Sequence, residues 1–277
     1  MGGSESGVGD TTGGECSELY VGDVIVVGGD SPESNDLEAL GNVGRIDGGV
    51  SFVSTPLSDL LFLGCLHEVD GIRIQDNDEL TTLAGLERLE TTSRLTISGN
   101  SALTTLAPIG PIETLDDLSV IGNPVLTNLG LDALQSAEEV YLHRNAMLAE
   151  IDLDALHTVD KLYFGQGDCA DPPTDPDGRP VPREPILPTE INGLPSLERV
   201  NVTLWVSGQT GLVSLGRLHE VAASGGLDGT YLSFTNNPQL PMSEIEALAE
   251  TAGAEPVHCG NLDDEPCEPN CGLGPPP

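Results

Sequence analysis

The chain has 277 residues, 45 of them Asp or Glu against 10 Lys or Arg, for a formal net charge of −35. That balance excludes nucleic acid, whose binding requires Lys and Arg to neutralise phosphates, and it opposes direct binding to an anionic membrane surface. Aromatic residues make up 3% and hydrophobic residues 38%, which suits narrow layers filled by Leu, Ile and Val.

Residues 1–15 read as a flexible acidic linker rich in Gly, Ser and Thr. The stretch resembles the tether that follows the lipidated cysteine of bacterial surface lipoproteins. It predicts a lipid anchor upstream of Gly2 and a place outside the cell or on the cell surface, at the bacterial outer membrane. No apolar run reaches the length that crosses a bilayer. A first irregular coil begins at Cys16, with Val24–Val27 as a strand, and Val50, Phe52 and the leucines from Leu57 to Leu66 fill the next.

A repeat of 23 residues then takes over. Leu57, Leu80, Leu103 and Leu126 recur at that interval, followed by Leu148. Leu60, Leu83, Leu106, Leu129 and Ile151 run three residues later. Asn77, Asn100, Asn123 and Asn145 form a third, structural column, placed where a left-handed turn and a bond to neighbouring backbone are needed. Ahead of each Asn stands a short alternating segment, 71–77, 94–100, 117–123 and 140–145, that reads as a strand with one face inward. A period this short predicts a mainly β solenoid of coils, each burying its apolar edge against its neighbours.

The proline-rich stretch 165–190 interrupts the repeat and reads as an insertion loop, since proline cannot donate to a sheet ladder. Coils resume at Leu197, with a strand over Val200 to Val206, and the last coil holds Leu232, Phe234, Asn237 and Leu240. A short C-terminal capping helix follows: Ser243 and Glu246 form a capping box, Ile245 and Leu248 its apolar face, and Gly253 its stop. The solenoid thus spans 16–258, and 259–277 is an acidic Cys- and Pro-rich tail.

The pattern Gly-x-Leu-x-Ile-x-x-Asn-x-x-Leu-x-x-Leu at 71–83, 94–106 and 117–129, with a similar stretch at 231–240, resembles the receptor L-domain family. These are the leucine-rich, right-handed β-helix modules of the insulin and epidermal growth factor receptors, with bacterial surface relatives. The likeness covers roughly residues 45–250 and implies a right-handed β-helix that recognises partners and performs no chemistry. The insertion departs from the pattern, and no kinase-type or furin-type module accompanies it, so receptor signalling does not carry over.

Six cysteines, without a Cys-x-x-Cys pair, favour disulfides and an oxidising compartment; Cys259 is expected to pair with Cys267 or Cys271. His67, His157 and His219 recur in Leu-His-x-Val and read as one structural slot, since the second zinc-binding His four residues on is missing. Asp168, Asp171, Asp175 and Asp177 put carboxylates on the insertion, the oxygen donors that calcium takes, though not at EF-hand spacing. No nucleophile, phosphate-loop or metalloprotease motif is present, and no cofactor or enzymatic activity is expected.

Alignment of the strands gives the sharpest expectation. With Ile72 and Ile74 inward, Arg73 points out, and its equivalents are Thr96, Ser119, Tyr141, Tyr163, Trp205 and Ser233. Tyr141, Tyr163 and Trp205 then form an exposed ladder, with His143 beside it and Tyr231 near the last rung. Rigid exposed aromatics suit a protein or carbohydrate partner. Two readings compete with this face. The insertion can fold over the rings and bury them, or the chain can serve as a stiff adhesive spacer whose acidic surface holds divalent cations.

Overall fold

The computed structural model describes residues 16–28, 37–148, 151, 153–165, 190, 191 and 193–266. It is mainly β: a single sheet of 11 parallel strands, not closed into a barrel. The strands are β1 (Glu18–Val21), β2 (Val24–Val27), β3 (Val43–Val53), β4 (Glu68–Gln75), β5 (Arg94–Ser98), β6 (Thr114–Ile121), β7 (Ser136–His143), β8 (Thr158–Gly165), β9 (Arg199–Ser207), β10 (Tyr231–Thr235) and β11 (Val257–Cys259). From β3 to β11 each strand pairs with its predecessor and successor in sequence; β1 and β2 share the free edge of β3. Leu218–Ala223 forms helix α1 and Met242–Ala252 helix α2, and Ala39–Asn42 and Leu61–Leu63 are short 3-10 turns.

The alternation within each strand places one column inward. Ile72, Leu95, Leu118, Val140, Leu162, Leu204 and Leu232 lie in register across β4 to β10, and all are buried. The Leu-x-x-Leu positions close the core from the other side: Leu80, Leu103, Leu126 and Leu148, with Leu60, Leu83, Leu106, Leu129 and Ile151, are buried. Leu57, first of its column, is only partly buried.

Between these two walls runs the asparagine column. Asn77, Asn100, Asn123 and Asn145 are buried, and each of the first three sends its backbone N–H and its Nδ2 to Oδ1 of the next, at 3.0–3.3 Å. Each also caps a strand carbonyl of the preceding coils, as Asn100 Nδ2 does for Ile74 O. The residue before the column takes positive φ in coil after coil: Asp76, Gly99, Gly122, Arg144, Gly208, Asn236 and Gly260. The turn is therefore set by backbone shape, and glycine relieves it in only some coils.

The C-terminal end differs from expectation in two ways. Ser243 and Glu246 do not form the predicted box: α2 starts at Met242 with Pro241 at its cap and no side-chain cap. Proline's fixed φ already sets the entry to the helix, and it has no N–H needing a partner. Ile245, Leu248 and the left-handed Gly253 take their expected places. The repeat also continues past residue 258. After α2 the chain adds β11 beside β10, and Asn237 N and Nδ2 donate to Asn261 Oδ1. Cys16 and Cys65 form a disulfide across the first coils. Cys259 is disulfide-bonded as well, and its proposed partners Cys267 and Cys271 lie outside the described residues.

The histidine slot holds at two of three positions. His67 O receives the N–H groups of Glu90 and Thr91, and His157 O those of Glu198 and Arg199. His219 instead sits in α1, where the chain departs from the strand pattern.

Candidate functional site

The outward column of the sheet is the one the repeat predicts. Arg73 pairs with Thr96, Thr96 with Ser119, Ser119 with Tyr141, Tyr141 with Tyr163, Tyr163 with Trp205, and Trp205 with Ser233. Although 42 residues separate Lys161 from its partner Thr203, β8 and β9 pair directly, so the insertion leaves the sheet uninterrupted.

On β7 to β9 the outward rings form a closed cycle. Tyr141 stacks on Tyr163 with centroids 4.1 Å apart and planes 12° apart. Tyr163 meets Trp205 edge-on at 5.8 Å. His143 completes the cycle, 5.8 Å from Trp205 and 6.3 Å from Tyr141. His143 and Trp205 belong to strands two apart and meet on a diagonal: Gly165 of β8 stands opposite His143 and Ser207, while Trp205 stands opposite Tyr163. Having no side chain, Gly165 lets the two rings approach over it. A Cβ there would fall 1.9 Å from Ser207 O.

Burial corrects part of the expected exposed ladder. Tyr163 points outward along the strand but is only 1% exposed, with Tyr141 stacked on it and Trp205 edge-on beside it. It acts as the keystone of the cluster, while Tyr141, His143 and Trp205 are half-buried and present their outer edges. Tyr231, 40% exposed, faces the same way one row over, opposite Thr203.

Carboxylates ring the cluster. Glu139 bonds the ammonium of Lys161 at 2.7 Å, which raises the lysine's pKa, and Ser119 donates to Asp117 at 2.7 Å. Burial raises the Tyr141 phenol well above its ordinary range, aided by its hydrogen bond to Tyr163 and the charges of Glu139 and Asp117. The phenol is therefore neutral at any physiological pH. The surface is polarisable and hydrogen-bonding, edged with negative charge, and suited to stacking and donation.

The same face carries a second feature that strand alignment did not single out. Asp23, Ile25, Gly49, Ser51, Asp70, Gly71, Arg73, Arg94 and Thr96 line an open groove of about 490 Å³ across β2 to β5. Its floor exists because Gly49 and Gly71 occupy outward strand positions. The available signal was glycine where a strand favours a side chain, next to two arginines in an acid-rich chain.

Among the described residues no group of three or more His, Cys, Asp or Glu could hold a metal ion. The calcium candidates Asp168, Asp171, Asp175 and Asp177 lie outside the described residues. No helix among the described residues is long and apolar enough to cross a membrane. Comparison with protein-family models, with curated proteins and with solved structures gave no match.

Proposed function

We propose that the chain is a right-handed β-helical, leucine-rich solenoid of the receptor L-domain type, working outside the cell or at its surface as a non-catalytic binding module for a protein or glycan. The observation that carries this reading is the cycle of Tyr141, His143, Tyr163 and Trp205 on the outer face of the sheet. Three rings with open edges, locked by a fourth that is buried, present contact area with little side-chain entropy left to lose, the property that makes aromatic anchors effective in interfaces. The strictly sequential parallel sheet supports the solenoid, and the Cys16–Cys65 disulfide supports an oxidising compartment. The acidic rim favours neutral or basic partners. A lipid anchor upstream of Gly2 would hold the module at a bacterial outer membrane.

The single tryptophan, Trp205, reports on the site directly. Glycan and surface-protein panels are screened with the wild-type chain, and hits are followed by Trp205 emission and acrylamide quenching. A true partner shifts the emission to the blue and protects the ring; Trp205→Ala then abolishes binding while costing about 1–2 kcal/mol of stability. Tyr163→Ala costs more, about 3 kcal/mol, since it empties a buried ring site. Hits that survive Trp205→Ala unchanged would sink the aromatic face. A large rise of melting temperature with calcium, in the absence of any hit, would replace it with the cation-binding spacer.

A further inference from the structure

We propose that the groove across β2 to β5 is a separate binding site for a sugar unit carrying a single carboxylate, a uronic-acid residue of an otherwise neutral glycan. It lies on the same face as the aromatic cluster but shares no residue with it, so it stands or falls independently.

Two uncompensated cations carry the proposal. In a chain of net charge −35, three of the eight described basic side chains pair with acids: Arg45 with Glu68, Lys161 with Glu139, and Arg217 with Glu220. Arg73 and Arg94 are among the five that do not, and these two line one groove. Arg73 donates to the neutral Gln75 Oε1, and Arg94 forms no ion pair among the described residues, although Asp23 and Asp70 line the same groove. The two arginines are diagonal neighbours on adjacent strands, with Arg94 opposite Gly71 and Arg73 two residues further along β4. The Arg94 side chain lies over Gly71: a Cβ built at Gly71 would sit 3.5 Å from Arg94 Cβ and 3.9 Å from its Nε. Glycine at this outward position thus gives the guanidinium a place above the floor.

The rest of the groove specifies the ligand. A guanidinium fork matches a planar carboxylate in two parallel hydrogen bonds. A polyanion, by contrast, would meet the repulsion of the whole acidic surface, so one carboxylate fits better than a chain of them. Asp23 Oδ1 already accepts from Gly49 N at 2.8 Å; its other oxygen and the Asp70 carboxylate are acceptors for sugar hydroxyls, with Ser51 and Thr96 beside them. Ile25, 65% exposed, offers an apolar wall. The volume of about 490 Å³ is within the range of small-ligand sites. Strand addition by an extended peptide is not available over β3, β4 and β5, which spend their backbone groups on one another.

The test uses the full chain and two probes, methyl β-glucuronoside and the isosteric methyl β-glucoside, titrated by calorimetry and saturation-transfer NMR. The glucuronoside is expected to bind in about the millimolar range, more weakly as salt rises, and at least about tenfold better than the glucoside. Arg94→Gln should weaken it about tenfold. Gly71→Val, which fills the floor at a position without positive φ, should remove binding, while Trp205→Ala should leave it intact. Circular dichroism and melting of each variant verify folding; both arginines are exposed, so Arg73→Gln supplies a second folded variant. Equal binding of the two probes, acetate competing as well as glucuronoside, indifference to Arg94→Gln, or no binding by the folded wild type would each overturn the proposal. Failure here with Trp205-dependent hits intact leaves the aromatic reading standing, and the reverse result leaves the groove.

Discussion

Asn100 shows how one side chain can hold two coils together. Fully buried, it donates through Nδ2 to Ile74 O and Asn123 Oδ1 and accepts through Oδ1 from the N–H and Nδ2 of Asn77. Asn100→Ala strands buried donors and a carbonyl at once, each costing about 1–3 kcal/mol. The expected loss in urea unfolding is about 3 kcal/mol, whereas Asp78→Ala on the exposed side of the preceding coil stays within about 0.5 kcal/mol. The column was legible in the sequence because Asn recurs at the repeat interval and an amide is the side chain that can both donate and accept along a stack. The burial of Tyr163 was not legible. Period-two alternation gives the side on which a residue stands, but it does not tell whether neighbouring rings will close over it.

At the level of elements, the register carried through the insertion. Val206 stands nine residues before Leu215, as Ile74 stands nine before Leu83, which puts Trp205 in the outward column of Arg73; its pairing with Tyr163 and Ser233 agrees. This works because the spacing from strand to Leu-x-x-Leu edge is fixed by the geometry of one coil, whatever lies between coils. The region before α2 escaped that logic. Leu218 continues the apolar pattern, yet the chain turns into α1, and a single apolar period over so few residues cannot separate strand from short helix. The two helices are joined by a bond that sequence spacing does not reveal: Glu244 of α2 accepts from Leu215 N at 3.0 Å and from His219 Nε2 of α1 at 3.1 Å. Burial pushes the Glu244 carboxyl up, but these bonds and one from Ser214 outweigh it and hold the group below its ordinary range. A depressed folded pKa contributes stability above the unfolded value, about 4.3, and loses it as pH falls through the folded one. Glu244→Gln should therefore lower the melting temperature at pH 7 and flatten its decline on the acid side. Parallel declines for variant and wild type would refute the linkage.

For the whole molecule, the charge excess outweighs the few ion pairs. With a net charge of −35, self-repulsion destabilises the folded chain, and added salt screens it as the Debye length falls from about 30 Å at 0.01 M to about 3 Å at 1 M. The melting temperature should rise with sodium chloride over that range, with lithium chloride acting as well as sodium chloride if screening is the cause. A falling curve would mean that the local pairs, such as Lys161 with Glu139, matter more than the net field. Composition alone gave this expectation. The groove was less legible, because it depends on Gly49 and Gly71 coinciding across strands with the sweep of Arg94, a juxtaposition that no single stretch of sequence displays.

The order of the sheet also makes length a heritable variable. Since each strand from β4 to β10 hydrogen-bonds only to the strands before and after it, a coil behaves as a cassette in the gene. Excising residues 94–116, one whole period, sets Gly71 opposite Asp117 and Asn77 beneath Asn123, so every remaining side chain keeps its face and its kind of neighbour. Coils of 22 residues keep the same alignment at β6–β7 and β7–β8, so a one-residue difference is taken up in the loops, whereas a deletion inside a strand turns part of its apolar face to water. The whole-coil deletion should melt cooperatively close to the parent, and deletion of Thr96 alone from the middle of β5 should lower the melting temperature sharply. Drift in such a gene is expected to proceed by whole coils, lengthening or shortening the molecule without redesigning it.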